Sequence, residues 1–301
     1  MNKQIIFWGT PLFSLPSLKA LDALGLVKAV VTQPDKLAGR NRELKTSAVK
    51  DYALAHDLAV LQPEALDQGF VDQLKEFLPA TFVIVAFGKI IPQEILDLSE
   101  LSSLNIHPSK LPTLRGPSPI QTAFLEGFSS TAVTLMQLDE KMDHGPILGQ
   151  IEAKINPDDD YITLGDRLSE IGGQILTDKI QDYLAAKLEP QDQDHEQATF
   201  CKLIKKEDGL IDWQKPAEHI INQIKAFILW PTSFTKLKNI EVQVIKAIAS
   251  LEKLTPGEIS ITNSQLLIGT GTSALQILEL KPAGKKKMLA EEFIRGYQDK
   301  L

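Results

Sequence analysis

Phe82-Val83-Ile84-Val85-Ala86-Phe87 is the most strongly apolar run of the chain, and Leu104-Asn105-Ile106-His107 is the next strand-like segment after it. A short, uninterrupted apolar run suits a strand buried on both faces, as in a parallel sheet. Working outward, Ile5-Ile6-Phe7-Trp8 and Val27-Lys28-Ala29-Val30-Val31 read as buried strands. Between them Leu15, Leu18, Leu21 and Leu24 recur at helical spacing. Asp51 to His56 and Phe70 to Phe77 continue the helical pattern, with a short strand at Val60-Leu61. This alternation predicts an α/β fold with a Rossmann-like, mostly parallel sheet. The first turn, Gly9-Thr10-Pro11, lacks G-x-G-x-x-G, so no dinucleotide is indicated, and Gly9 serves equally well as a tight-turn residue.

Further along, Ile151 to Ile155 reads as a strand, and Leu164 to Leu188 as a helix interrupted by Gly172-Gly173. Glu189-Pro190-Gln191-Asp192-Gln193-Asp194-His195-Glu196-Gln197 is polar and opened by proline, which reads as linker. After a helix at Ala217 to Ile228 come five short strands: Thr232 to Leu237, Val242 to Ala247, Gly257 to Ile261, Gln265 to Gly269 and Ala274 to Leu280. Their spacing predicts a small OB-like β-barrel. The expected division is 1–189 for the larger domain, 190–206 for the linker and 207–301 for the barrel.

A length of 301 residues suits one large domain plus a smaller one. The single cysteine, Cys201, excludes an intrachain disulfide and fits a reducing cytoplasm; with no activating base nearby it reads as a structural thiol. No segment approaches the ~20 apolar residues of a membrane span, and Met1-Asn2-Lys3-Gln4-Ile5 has no signal-peptide pattern, so a cytoplasmic protein is expected. The net charge of −7 argues weakly against nucleic acid, yet it divides into −8 over residues 1–190 and +1 over 191–301. Basic residues cluster locally at Lys36, Arg40, Arg42 and Lys45, at Lys202, Lys205 and Lys206, and at Lys285, Lys286 and Lys287. Local clusters, more than net charge, set the field that a phosphate backbone meets.

Residues i and i+2 of a strand share a face, roughly 6.5–7 Å apart at Cα. Asn105 and His107 therefore converge, and Pro108 stops the ladder just beyond them. Catalytic groups collect at such strand ends in open α/β sheets. Asn offers an uncharged donor for an oxyanion, and His exchanges protons near neutral pH. Asp143, within Leu138-Asp139-Glu140-Lys141-Met142-Asp143-His144-Gly145-Pro146, supplies a carboxylate to orient an imidazole. Together they fit acyl transfer through a tetrahedral intermediate. A satisfied turn histidine would look the same, and residue type alone does not separate Asp143 from Asp139 or His107 from His144.

Three stretches carry a resemblance: Asn105-Ile106-His107-Pro108-Ser109-Lys110-Leu111-Pro112, Arg115-Gly116-Pro117-Ser118-Pro119-Ile120-Gln121 and Met142-Asp143-His144-Gly145. They resemble the signature of the folate-dependent formyltransferases. Phe7 to Pro11, Thr32 to Arg40, Lys205 to Gly209 with Ile211-Asp212-Trp213, Trp230-Pro231 and Leu280 to Lys286 narrow the resemblance to the branch acting on methionyl-tRNA. The likeness spans essentially the whole chain.

That resemblance implies catalytic roles for Asn105, His107 and Asp143, with 10-formyltetrahydrofolate as formyl donor and initiator methionyl-tRNA as acceptor, and no metal. Phe87, Gly88, Lys89 and Ile90 would form one wall of the folate site, and Ser109, Lys110, Leu111 and Pro112 another. Arg40, Arg42 and Lys45 would belong to a loop clamping the acceptor stem. Lys205, Lys206, Lys285, Lys286 and Lys287 would meet the tRNA backbone. The chain would act as a cytoplasmic monomer. It departs from the family pattern at Lys110, Lys225 and Ile228-Leu229. The rivals are a formyltransferase acting on a nucleotide-linked amino sugar, a glycinamide ribonucleotide formyltransferase (for which the C-terminal barrel would be surplus), a formate-releasing hydrolase and a catalytically inactive tRNA-binding protein.

Overall fold

Ile5–Gly9 forms strand β1, and all five of its residues are buried. The chain continues through α1 (Leu15–Ala23), β2 (Val27–Val31), the antiparallel pair β3 (Lys36–Ala38) and β4 (Glu43–Lys45), α2 (Ala48–Ala55), β5 (Ala59–Leu61) and α3 (Gln68–Lys75). Next come β6 (Thr81–Val85), α4 (Gln93–Leu96), β7 (Leu104–His107), α5 (Pro119–Leu125), β8 (Ser130–Gln137), β9 (Ile147–Lys154) and the long α6 (Tyr161–Leu184). This computed structural model describes residues 3–38 and 43–297.

Seven strands form one sheet in the order β5-β2-β1-β6-β7-β8-β9. The first five are parallel, and β8 and β9 are antiparallel additions. The expected mostly parallel α/β architecture is therefore present. The chain builds outward from β1 through β2 to β5, then returns to place β6 on the other side of β1. The carboxyl ends of β1 and β6 thus define the switch point where open sheets bind ligands.

Trp8 anchors one face of this sheet, with the rings of Phe70, Phe82 and Phe87 at centroid distances of 5.7, 5.5 and 5.2 Å. Such pairs contribute roughly 0.5–1.5 kcal/mol each beyond area burial. They offset the cost of Trp8 Nε1, which is buried without a hydrogen-bond partner among the described residues.

Gly172-Gly173 does not interrupt α6, contrary to the expectation. A Cβ at Gly173 would stand 2.9 Å from the Pro16 carbonyl oxygen, and one at Gly172 would stand 3.1 Å from Ile106 Cγ2. The glycines let the helix lie directly against the start of α1 and against β7. Strand β8 and helix α5 had no counterpart in the sequence reading.

The chain divides into two compact units. One comprises Met1–Gly116, Ser130–Lys154 and Gly165–Phe200; the other comprises Pro117–Ser129, Ile155–Leu164 and Cys201–Leu301. The stretch expected as linker, 190–206, is not a free tether over its first half. Gln191 exchanges backbone hydrogen bonds with Ile147 at 2.7 and 2.8 Å, and the Arg115 N–H donates to Thr199 O at 2.9 Å. Gln193 is buried.

The second unit adds α7 (Ala217–Ala226), β10 (Ser233–Leu237), β11 (Ile240–Ser250), β12 (Ile259–Thr262), β13 (Gln265–Gly269), β14 (Ala274–Pro282), β15 (Met288–Leu289) and α8 (Ala290–Tyr297). The strands pair antiparallel in the order β10-β11-β14-β13-β12, with β15 also on β14. Ile220, Ile224, Phe293 and Ile294 from the helices share a core with Val242, Val244, Leu266, Ile268, Leu275, Ile277 and Leu280 from the sheet. Among the described residues, no helix is long and apolar enough to cross a membrane.

Candidate active site

The pleat of β7 places Asn105 and His107 on one face and Leu104 and Ile106 on the other. His107 is buried, and Asn105 is half-buried. His107 Nε2 lies 2.9 Å from Leu114 O. A carbonyl only accepts, so this nitrogen carries the proton, and in the neutral ring Nδ1 bears the lone pair. Nδ1 faces Asp143 Oδ1 at 3.6 Å, too far for a direct hydrogen bond. A proton arriving on Nδ1 lands beside a carboxylate. The Asn105 side chain has no protein hydrogen-bond partner among the described residues, so its amide is available to a ligand.

Asp143 sits in the turn between β8 and β9 with a positive φ of 49°, a conformation non-glycine residues adopt infrequently and at some cost. Its Oδ2 accepts the Gly116 N–H at 2.7 Å, which turns Oδ1 toward His107. The turn also needs Gly145, because a Cβ there would run into the Gln137 carbonyl oxygen.

The sequence left two acids and two histidines open, and the structure separates them. His144 Nδ1 meets Asp139 Oδ2 at 2.6 Å, and its ring stacks on His195 at 3.9 Å. Arg115 Nη2 donates to His195 Nδ1 at 2.9 Å. Burial draws the Arg115 guanidinium below its ordinary pKa, while the Asp139 and Asp143 carboxylates push it back up. Arg115, Gln193 and the Leu114 carbonyl had no role in the sequence reading. Arg115 stood inside a quoted motif, but Gln193 had no local signal.

The expected folate-wall residues differ in how open they are. Phe87 turns into the Trp8 cluster and is 2% exposed, which leaves its backbone rather than its ring to meet a ligand. Its carbonyl accepts from Thr10 Oγ1 at 3.0 Å and from Gln33 Nε2 at 3.2 Å. Ser109 is buried, and its Oγ donates to Thr113 O at 2.5 Å, bracing the loop from within. Leu111 is likewise buried in that loop. The remaining four are more open. Gly88 has φ of 85°, and Ile90 is 87% exposed. Lys89 Nζ is tied to Pro63 O at 3.2 Å and Glu64 O at 2.8 Å, and Pro112 is half-buried. Exposed Lys110 pairs with Glu152, and that hydrogen bond holds the Glu152 carboxyl below its usual pKa.

Arg40 and Arg42 lie outside the described residues. Lys45 is exposed on β4 opposite Lys36, and Lys205 and Lys206 are exposed. Lys285 and Lys286 are exposed between β14 and β15, while Lys287 pairs with Glu279 at 2.7 Å. Among the described residues, no group of three or more His, Cys, Asp or Glu side chains is arranged to hold a metal ion.

A free amide, an imidazole with a bare nitrogen and a carboxylate, gathered at a strand end of a Rossmann-like sheet, are the groups that acyl transfer to an amine requires. Residues 3–180 match the Formyl transferase family and residues 203–298 the Formyl transferase, C-terminal domain. The chain belongs to the formyl transferases, in the methionyl-tRNA formyltransferase branch. It is 40% identical over 298 residues to the methionyl-tRNA formyltransferase of Thermodesulfovibrio yellowstonii, covering 98% of this chain and 96% of that one. To that of a Geobacillus species it is 42% identical over 299 residues, covering 97% and 94%. Among solved structures, the sugar 3N-formyl transferase WlaRD superposes with a TM-score of 0.70 at 21% identity, covering 95% of this chain and 100% of that one. HypX from Aquifex aeolicus, in complex with tetrahydrofolic acid, gives 0.66 at 17% identity; the match covers 98% of this chain but 47% of HypX.

Proposed function

We propose that this chain transfers the formyl group of 10-formyltetrahydrofolate to the α-amino group of initiator methionyl-tRNA, using Asn105, His107 and Asp143. The observation that carries the catalytic reading is His107 Nδ1 facing Asp143 Oδ1 at 3.6 Å while Nε2 is held by Leu114 O, on the strand face that also presents Asn105. The substrates follow from a family relation that runs through both units of the chain.

His107 Nδ1 accepts a proton from the attacking amine as its nitrogen bonds to the formyl carbon. The Asn105 amide donates to the oxygen, which becomes an oxyanion in the tetrahedral intermediate. Asp143 balances the charge on the imidazolium. When the intermediate collapses, the bond from carbon to the folate nitrogen breaks, and the proton held at His107 goes to that nitrogen, through water where needed. The folate supplies the formyl carbon and the leaving nitrogen.

The backbone after β6 suits a flat heteroaromatic ring. Gly88 has open space where a side chain would be, its nearest prospective neighbour being Gln33 Nε2 at 3.8 Å, and Ile90 offers an exposed apolar face beside it. Gly88, Lys89 and Ile90 line this proposed folate site, with Lys110 and Pro112 opposite. Residues 207–301 hold the tRNA, with Lys205, Lys206, Lys285, Lys286 and Lys287 meeting phosphates and Arg40, Arg42 and Lys45 meeting the acceptor stem. Such contacts position the tRNA and make binding salt-dependent without reading its sequence. The protein works in the cytoplasm. One chain supplies the whole proposed trio, so the reading needs no second copy and takes the protein as a monomer.

The test is to incubate the protein with 10-formyltetrahydrofolate and methionyl initiator tRNA and to follow formyl-methionine. Formylation of an amino-sugar nucleotide, with no product on tRNA, would overturn the reading. Release of formate alone would mean a hydrolase.

A further inference from the structure

The side chain of Gln193 is 5% exposed and uses all of its hydrogen-bonding capacity. Its Oε1 accepts from Arg115 Nε at 3.1 Å and from Arg115 Nη2 at 2.7 Å. Its Nε2 donates to Asp143 O at 3.0 Å and to Gly145 O at 2.7 Å. The partners dictate which end is which, because a guanidinium only donates and a carbonyl only accepts. One amide therefore joins three segments far apart in the chain. These are the irregular segment 191–200, the turn carrying Asp143, and the loop whose Leu114 carbonyl and Gly116 N–H hold His107 and Asp143.

We propose that Gln193 is a positioning residue for the reaction: it locks the Asp143 turn to the Arg115 loop and so fixes the facing of Asp143 Oδ1 and His107 Nδ1. This rests on the catalytic reading above and extends it to a residue that touches no substrate. The physical basis is the arrangement of the two holds on the pair. Leu114 O sets the protonated nitrogen of His107, and Gly116 N sets the carboxylate rotamer of Asp143. Both belong to the loop around Arg115, whereas the Asp143 backbone belongs to the opposite turn. Gln193 fixes the distance between loop and turn. A displacement of about 1 Å in such a site costs roughly 100-fold in turnover.

Two variants of the full chain test this. Gln193→Glu keeps the acceptor toward Arg115 but has no N–H for the Asp143 and Gly145 carbonyls; Gln193→Met removes both ends. Both variants should lose roughly 10- to 100-fold in kcat, with KM for folate and for tRNA changed by less than about threefold. A structural role alone would instead lower Tm and all kinetic constants together. His107→Ala is the control for the catalytic reading: if it keeps wild-type kcat, that reading fails whatever Gln193 does. A substrate-free measurement separates the two further. Nitrogen-15 spectra of the His107 ring should show protonated Nε2 and bare Nδ1 in the wild type, and exchange broadening in Gln193→Met. A Gln193→Met ring spectrum matching the wild type, or an unchanged kcat in either variant, overturns the proposal.

Discussion

Replacing Asp143 with asparagine keeps the shape of the side chain and removes its charge. In the folded protein, Asp143 Oδ1 stands 3.6 Å from His107 Nδ1, and the two side chains are 13% and 5% exposed. Unit charges at that separation interact by roughly 4–5 kcal/mol at an effective dielectric of about 20. That is the upper limit of what Asp143 contributes when the imidazole carries the amine's proton. The asparagine carbonyl retains the Gly116 N–H, so the turn is expected to hold its place. Its amide N–H₂ then faces Nδ1 where the carboxylate oxygen stood 3.6 Å away, and no negative charge is left to balance an imidazolium. Losing about 2–4 kcal/mol of transition-state stabilisation slows turnover by about 30- to 1000-fold. The assay is steady-state formylation with kcat and both KM values, beside an equilibrium Kd for methionyl-tRNA. A kcat within about threefold of wild type would refute the charge argument, and a loss appearing mainly in tRNA affinity would refute the placement of Asp143 at the reacting carbon.

Asn105→Ala should lower kcat by roughly 100- to 1000-fold, as expected for one lost oxyanion donor, with Tm unchanged because the amide holds nothing in the protein; an active variant would reassign the oxyanion site. Replacing Lys285 and Lys286 with alanine should reduce the salt slope of tRNA binding by about two, roughly one per phosphate contact; an unchanged slope would place the tRNA elsewhere. Tyr52 tests a pH dependence away from the site. Burial, and then the hydrogen bond and charge of Asp22, push its phenol up to about 12. The unfolded chain ionises first, so the stability this group provides is complete below its ordinary pKa of 10.0 and falls as pH rises through about 12. Melting of Tyr52→Phe should therefore decline less steeply than wild type across that window, and parallel declines would refute the shift.

Where side chains are buried on both faces, the sequence was readable: Thr81–Val85 is fully buried, and its apolar run announced a central strand. Strand β8 was not, because Thr131 and Thr134 sit in its buried stretch. Thr134 is tolerated there because its hydroxyl donates to Ser109 O at 2.6 Å, a partner that no local pattern reveals. At the site, the two-residue spacing of Asn105 and His107 announced a shared face. The carboxylate remained ambiguous until folding gave Asp139 to His144 and turned Asp143 toward His107. Gln193 hid in a polar stretch because its partner Arg115 lies 78 positions away.

The way residues 191–200 fold back beside the Asp143 turn bears on how the protein can be dissected. A truncation at residue 189, where composition invites a cut, removes Gln191, Gln193 and Thr199 along with everything after them. Such a fragment would lose the braces of its own reaction centre. Its failure to formylate anything would then be misread as dependence on the C-terminal unit. A cut after Phe200 keeps those braces but parts Ser118 from Cys201 and Lys202, whose hydrogen bonds tie residues 117–129 to the rest of the second unit.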